Sequence, residues 1–529
     1  MSISPSRPPA GADVVAGAAV ADGPGAPAGT EIPGGTPEAP GPPEAPGPPE
    51  APGSPVRAAP PKRAAPPSRA APPKRGVPPA RQGAVLVAGL LGFCVITIDV
   101  SAVNVSLPAV RAGLGAGMSG LQWVVDSYTL FFAALMLSAG ALSDRFGAKR
   151  AYGSGLVLFT LASLACGFAP TLGALIAARI AQGVAAAAMM PASLALIRQT
   201  YDDAARRARA IALWTAGGAV AMAAGPVLGG ALITVWDWRA VFFVNVPVCG
   251  LAFALLVLRT GRSPRRAASF DLPGQCAAVV GLGGLTYAVI EGGHAGYGSG
   301  VVLGAVALAF VAGAVFVVVE ARRSDPMVPL DLFRLRAVSM PVVVGFAANA
   351  GFYGAVFALG LFFQQARGQS ALSAGTMFVP MALSTAALNL LSPRLTARYG
   401  PRAVITAGQL VLATGLLGLT LTGAHTPAPA VALLMIPVGV AGATVVPALT
   451  TLLLDHTPPE RAGTAAAVLN TSRQTGGALG VAAFGVFLAG PVSGFVPGLH
   501  LALLAASGFV AVTGVAGWAL LGSVRRELP

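Results

Sequence analysis

Four charged side chains stand inside long apolar runs, and they are where chemistry would be done. Asp99 lies in Ile98-Asp-Val-Ser-Ala-Val-Asn-Val-Ser-Leu-Pro108, and Asp126 in Gln122-Trp-Val-Val-Asp-Ser-Tyr-Thr-Leu130. Arg179 opens Arg179-Ile-Ala-Gln-Gly183, and Arg473 precedes Gln474 between Thr471-Ser472 and Gly476-Gly477. A charge in hydrocarbon costs roughly 2.5–3.5 kcal/mol or more unless it is paired or hydrated. Such residues are kept for binding, for ion pairing or for carrying protons. A buried acid changes charge when burial and a neighbouring cation oppose each other, so Asp99, Asp126 and Arg179 are candidates for proton coupling. Arg473 and Gln474, with Asn349 and Tyr353, are candidates for a substrate cavity. There is no Walker loop, no His-x-x-x-His pair and no Gly-x-Ser-x-Gly elbow, so the expectation is a protein that is not an enzyme, with no metal or cofactor.

The elements that must hold these residues are membrane helices. The chain has 529 residues, 55% hydrophobic and 10% charged, with mean hydropathy +0.72. Soluble domains carry about 25% charge. Apolar runs of about 20 residues recur from Gly83 to Gly522, which predicts an all-α polytopic membrane protein. Fourteen spans are expected, near 84–107, 121–143, 150–169, 171–199, 208–234, 239–259, 273–291, 301–320, 338–363, 372–392, 402–422, 427–453, 461–489 and 499–522.

The net charge of +14 does not indicate a nucleic-acid partner. Of 34 Lys and Arg, eight lie in the N-terminal tail, 21 in loops on one side, three on the other, and two inside spans. That asymmetry is a topology signal that places both termini in the cytoplasm. The four cysteines, Cys94, Cys166, Cys249 and Cys276, read as small packing residues. Residues 1–82 form a Pro/Ala-rich tail of repeated hexads, expected to be disordered. Its basic end, Arg57 to Arg81, fits either a contact with anionic lipid or a solvated linker.

Gly140-Ala-Leu-Ser-Asp-Arg-Phe-Gly-Ala-Lys-Arg150 joins spans two and three. Gly140 is expected to let two helices approach closely, Gly147 to allow a sharp reversal, and Lys149 and Arg150 to hold the turn on the cytoplasmic side. Asp144 is expected just before the next helix, where the dipole favours a carboxylate. The loop Gly140, Asp144, Arg145, Gly147, Lys149, Arg150 resembles the signature loop of the major facilitator superfamily. Asp144-Arg-Phe-Gly-Ala-Lys149 is echoed by Ala397-Arg-Tyr-Gly-Pro-Arg402 after span ten. A displacement of eight spans implies two six-helix halves, 83–260 and 337–529, around two inserted helices and a linker, 261–336.

Gly217-Gly218 and Gly225-Pro226-Val-Leu-Gly229-Gly230 put bare backbone on one face of span five. The second of these resembles the antiporter signature of drug-efflux members. With Trp238-Arg-Ala-Val-Phe-Phe-Val-Asn-Val-Pro247 and Gln364-Gln-Ala-Arg-Gly-Gln-Ser370, the chain resembles the fourteen-helix drug:proton antiporters over about 83–522. The resemblance implies proton-coupled efflux of amphipathic small molecules, drugs or antibiotics, across the cytoplasmic membrane by a monomer. Its partners would be substrate, protons and the bilayer. It also implies that Gly217, Gly225, Pro226, Gly229 and Gly230 seal the halves. In that fold Asp99, Asp126 and Arg179 lie at similar depths and are expected to form one titratable cluster, with Asp126 nearer the aqueous outer end. A metabolite importer or facilitator, or a non-transporting membrane sensor, are the rival readings.

Overall fold

The computed structural model describes residues 79–521, apart from 262, 266–270, 324–325, 459–460 and 490–493. The expected tail up to residue 78 and the basic C-terminal end lie outside the described residues. The first part of the described chain contains α1 (Pro79–Leu114), α2 (Met118–Phe146), α3 (Ala148–Gly167), α4 (Leu172–Thr200), α5 (Ala204–Val235), α6 (Ala240–Phe243) and α7 (Asn245–Arg259). Two helices follow, α8 (Leu272–Ala295) and α9 (Gly300–Arg322), then a 3-10 turn at Leu330–Arg334. The last part contains α10 (Arg336–Leu361) running into a π turn at Phe362–Ala366, α11 (Ala371–Met377), α12 (Val379–Tyr399), α13 (Pro401–Leu419), α14 (Ala428–Leu434), α15 (Ile436–Asp455), α16 (Ala462–Leu488) and α17 (Phe495–Leu521).

Local chemistry sets many of these boundaries. The side chains of Thr171, Asp203, Asp271, Ser299 and Ser370 each accept a backbone N–H at the start of α4, α5, α8, α9 and α11. Each such cap satisfies a donor that would otherwise be orphaned and contributes about 1 kcal/mol. Pro380 and Pro437 stand in the first two positions of α12 and α15. Each lacks an N–H, which interrupts the ladder and splits a membrane-length rod into α11–α12 and α14–α15. Gly147 (φ 89°) and Gly400 (φ 80°) occupy equivalent reversals before α3 and α13. The repeated sequence thus has a repeated backbone shape that only glycine adopts without strain.

Among the described residues, twelve helical rods, two of them the split pairs α11–α12 and α14–α15 and one α6–α7, are long and apolar enough to cross a membrane. α3 and α16 are also long, at 20 and 27 residues. They miss on composition, because α3 begins with Lys149-Arg150 and α16 carries Asn470-Thr-Ser-Arg-Gln474 at its middle. Structure therefore supplies twelve of the fourteen expected spans on length and apolarity, and α3 and α16 enter that count only as a proposal. α1 also runs seven residues beyond its expected exit at Leu107.

Among α1–α7 the main contacts are α2 with α4, α1 with α5, α3 with α4, and α1 with α7. Among α10–α17 they are α10 with α16, α13 with α15 and α17, and α12 with α15. The two sets meet where α2 packs on α16 and where α5 packs on α11 and α12. α8 and α9 pack on one another, and α8 lies against both α2 and α16. α9 exposes Leu303, Leu308, Phe310, Val311, Val315, Val317 and Val318. In water that face would be a liability, whereas in a bilayer it is the solvated one.

Candidate transport site

Asp99 from α1 and Arg179 from α4 form an ion pair, with side chains 0% and 1% exposed. The carboxylate is held from both sides. Asp99 Oδ2 takes the guanidinium Nη1. Asp99 Oδ1 accepts from Asn245 Nδ2 at 3.0 Å and from Gln182 Nε2 at 3.2 Å. Arg179 spends its other donors on Val124 O at 3.0 Å and Gln182 Oε1 at 2.9 Å. Its Cζ stands 4.3 Å from the centre of the Tyr128 ring. Ser163 Oγ accepts from Gln182 at 2.9 Å and from Asn245 at 3.3 Å. Five helices thus converge on one closed polar network, which is what makes a charge pair tolerable inside hydrocarbon.

Asp126 does not join this cluster. It is completely buried, and neither carboxylate oxygen has a hydrogen-bond partner among the described residues. A helix turns about 100° per residue, so Asp126 shares a face with Gln122 one turn earlier and not with Tyr128 or the Arg179 network. Gln122 donates to Ala482 O at 2.7 Å on α16. Asp126 therefore lies on the side of α2 that packs against α16. One expectation is corrected here: similar depth does not make a shared cluster when Asp126 leaves α2 on the face away from the one that meets the Arg179 network, and Asp126 is buried there.

A cavity of about 1010 Å³ opens at the end of the bundle that carries the basic loops. Its wall includes Met136, Gly140 and Asp144 from α2, Pro191 and Arg198 from α4, and Asn470 from α16. Arg473 points its Nη1 to Asn470 Oδ1 at 2.9 Å, and its Nε has no partner among the described residues. Gln474 is half-buried. Asn349 is buried, and its amide nitrogen has no partner among the described residues. Tyr353 borders a small cavity with Asn104, Met222 and Phe352, and it stands close enough to Arg473 of α16 to interact with its charge, packed against the Gly477 turn.

The opposite end is shut. Gln364 Nε2 donates to Val105 O at 2.9 Å, and Arg111 reaches Gln365. The glycines of α5 make the tightest of these contacts. A Cβ on Gly229 would stand 2.9–3.0 Å from Ala102 on α1, and one on Gly225 would collide with Ser101. A Cβ on Gly230 would stand 2.7 Å from Leu372 Cα on α11. α5 is continuous through Pro226, and the Pro226 carbonyl abuts Gly375 of α11. Gly217 faces only the flexible end of Leu90.

In the loop after α2, Lys149 is the residue in use. Its Nζ donates to Thr260 O at 2.6 Å and Val257 O at 3.4 Å, so the ammonium caps the carbonyl end of α7. Its backbone N–H donates to Ser263 Oγ at 3.1 Å. Asp144, Arg145 and Arg150 are exposed. Asp144 lies in the last turn of α2, not ahead of α3 as expected, because α2 continues to Phe146. A Cβ on Gly140 would meet nothing within 4 Å, since Gly140 faces the cavity; the expected close helix approach is absent there. Trp238 is buried, whereas Trp236 is exposed. Cys276 is exposed, unlike buried Cys166 and Cys249. Ser163, Gln182 and Asn245 were not singled out from sequence, although Gln182 and Asn245 stand inside the quoted motifs.

A helical bundle with an interior ion pair, a cavity open at one end and a glycine-packed seal at the other has the architecture of a multi-pass membrane transporter. The Major Facilitator Superfamily profile matches residues 89–481, and the chain belongs to that family of transporters. It is similar to the methylenomycin A resistance protein of Streptomyces coelicolor, 34% identical over 446 residues, covering 84% of this chain and 94% of that one. It is 38% identical over 408 residues to the multidrug resistance protein Stp of Mycobacterium tuberculosis, covering 76% and 75%. It is 30% identical over 419 residues to the tetracenomycin C resistance and export protein of Streptomyces glaucescens, covering 79% and 78%. Among solved structures, a POT family transporter in complex with a thioalcohol-conjugated peptide superposes with TM-score 0.63 at 12% identity, covering 84% of this chain and 96% of that one. At that identity the likeness is one of fold alone.

Proposed function

We propose that this protein exports amphipathic small molecules, drugs or antibiotics, from the cytoplasm in exchange for protons. The observation that carries the proton coupling is Asp126, a buried acid without a donor between α2 and α16. An ionised carboxylate there is costly, and the neutral acid avoids that cost. Any rearrangement that admits water between α2 and α16 therefore changes the tendency of Asp126 to hold a proton. Asp99 is the second coupling acid. Its charge is balanced by Arg179, and protonating it would free the guanidinium for another anion. Resistance and export relatives, similar over three quarters of the chain or more, support the outward direction.

In this reading α1–α7 and α10–α17 are two halves that rock about the α2–α16 and α5–α11 contacts, with α8–α9 inserted between them. All fourteen long helical rods cross the membrane, the basic loops and both termini are cytoplasmic, and the protein acts as a monomer in the cell membrane. The structure would then be the inward-open state, with the Gly225–Gly230 segment as its outer seal. Asp144 and its loop latch the cytoplasmic side when the cavity closes. The membrane voltage supplies roughly 2.3 kcal/mol per proton charge per 100 mV.

Everted vesicles containing the protein test this reading with a panel of fluorescent lipophilic dyes. Respiration should drive dye accumulation, and a protonophore should abolish it. Accumulation that survives the protonophore, or net movement out of everted vesicles, would refute the proposal.

A further inference from the structure

The inserted helices carry their own pair of acids. Asp271 caps α8, and Glu320 lies in the last turn of α9; they are 4% and 2% exposed. Asp271 Oδ1 accepts from Gly274 N at 2.9 Å and from Arg323 Nη1 at 2.7 Å. Glu320 Oε2 accepts from Val328 N at 3.0 Å. The remaining oxygens, Asp271 Oδ2 and Glu320 Oε1, have no donor among the described residues. Both approach the same spot beside Gly274, where a Cβ would touch Asp271 Oδ2 and Glu320 Oε1 alike. Two carboxylates cannot bond to each other without a proton, whereas one proton between them satisfies both orphaned oxygens.

We infer that Asp271 and Glu320 hold one proton between them, a further proton-binding site that lies in the inserted helices on the wall of the cytoplasmic cavity. Arg323 balances the single remaining negative charge. Asp271 lines that cavity, and Asp144, Asp202 and Arg198 are the charged groups across it. The packed face of α2 presents Ala134 and Ser138, which contact Gln275, and Ser138 also contacts Met327. The shared proton therefore ties the base of α8 to α9 and to the Met327–Val328 connection, next to the α2 surface that must move when the cavity closes. Loss of the proton places two charges against one cation and loosens that base. This site is separate from Asp99 and Asp126, and its occupancy does not depend on which of them couples transport.

Infrared difference spectra of the full-length protein in lipid nanodiscs, recorded between acidic and alkaline pH, test it. Among the protonated-carboxyl bands of wild type, one should correspond to a single proton held by this pair. Glu320→Gln and Asp271→Asn keep the hydrogen-bonding geometry, and each should remove that same band. A band untouched by both variants overturns the inference, and so does a band removed by only one of them, which would place the proton on a single acid. The readout needs no transport, so it can fail or succeed independently of the efflux reading.

Discussion

Replacing Asp99 by Asn removes one member of a completely buried ion pair and strands the other. Arg179 would keep its bonds to Val124 O and Gln182 Oε1 and its place over the Tyr128 ring. Breaking a buried pair from one side costs about 3–5 kcal/mol. The retained bonds and cation–π contact put Asp99→Asn near the lower end, about 3 kcal/mol. Replacing both partners leaves no buried charge, so Asp99→Asn/Arg179→Gln should recover most of that loss. Arg179→Gln alone is the informative single variant. A stranded carboxylate can take up a proton and a guanidinium cannot, so Arg179→Gln should lose less stability at acidic pH than at alkaline pH, whereas Asp99→Asn should show no such dependence. Unfolding in detergent, followed across pH for the four proteins, measures the cycle. Uphill efflux in vesicles should be abolished in Asp99→Asn and should not return in the double variant, because stability is restored there but the acid is not. A double variant no more stable than Asp99→Asn would refute the pairing argument, and restored uphill efflux would refute a coupling role for Asp99.

Asp126→Asn removes the unpartnered acid without stranding a cation, so stability should be kept or improved while substrate-induced proton release falls; undiminished release would remove Asp126 from the coupling. Gly229→Ala forces a methyl against the Ala102 backbone and should cost about 1–3 kcal/mol by overpacking. Gly140→Ala, facing open cavity, should leave stability within about 0.5 kcal/mol of wild type, and equal melting of the two variants would contradict the seal described for α5. The Arg461 guanidinium beside Asp331 lowers the carboxyl below its ordinary range. Because the folded value is the lower one, the pair's contribution is present above the unfolded value and is lost as pH falls through the folded one. Asp331→Asn should therefore flatten a shallow loss of stability in acid, small because both side chains are exposed; an unchanged acid limb in calorimetry would show that the pair contributes nothing.

Sequence alone determined the solvent. Apolar runs and one-sided arginines are local properties, so an all-helical membrane protein was legible without coordinates. Recurrence of the Asp144–Lys149 segment at Ala397–Arg402 likewise revealed the repeat, and both copies turn at a glycine of positive φ. Asp99, Arg179 and the Gly225–Gly230 segment could be picked out because charges and clustered glycines are conspicuous in hydrocarbon. Their partners could not. Ser163, Gln182 and Asn245 are ordinary polar residues on three helices, and only packing shows that they complete the shell around Asp99. Sequence also grouped Asp126 with Asp99 by depth, a coordinate along the helix. Tertiary structure separated them by azimuth, because the neighbours of a membrane helix differ on every face. Asp271 and Glu320, 49 residues apart, drew no attention as charges near span ends. They meet because α8 and α9 pack as an antiparallel pair, and a shared proton is a property of two carboxyl groups that no single stretch of chain contains.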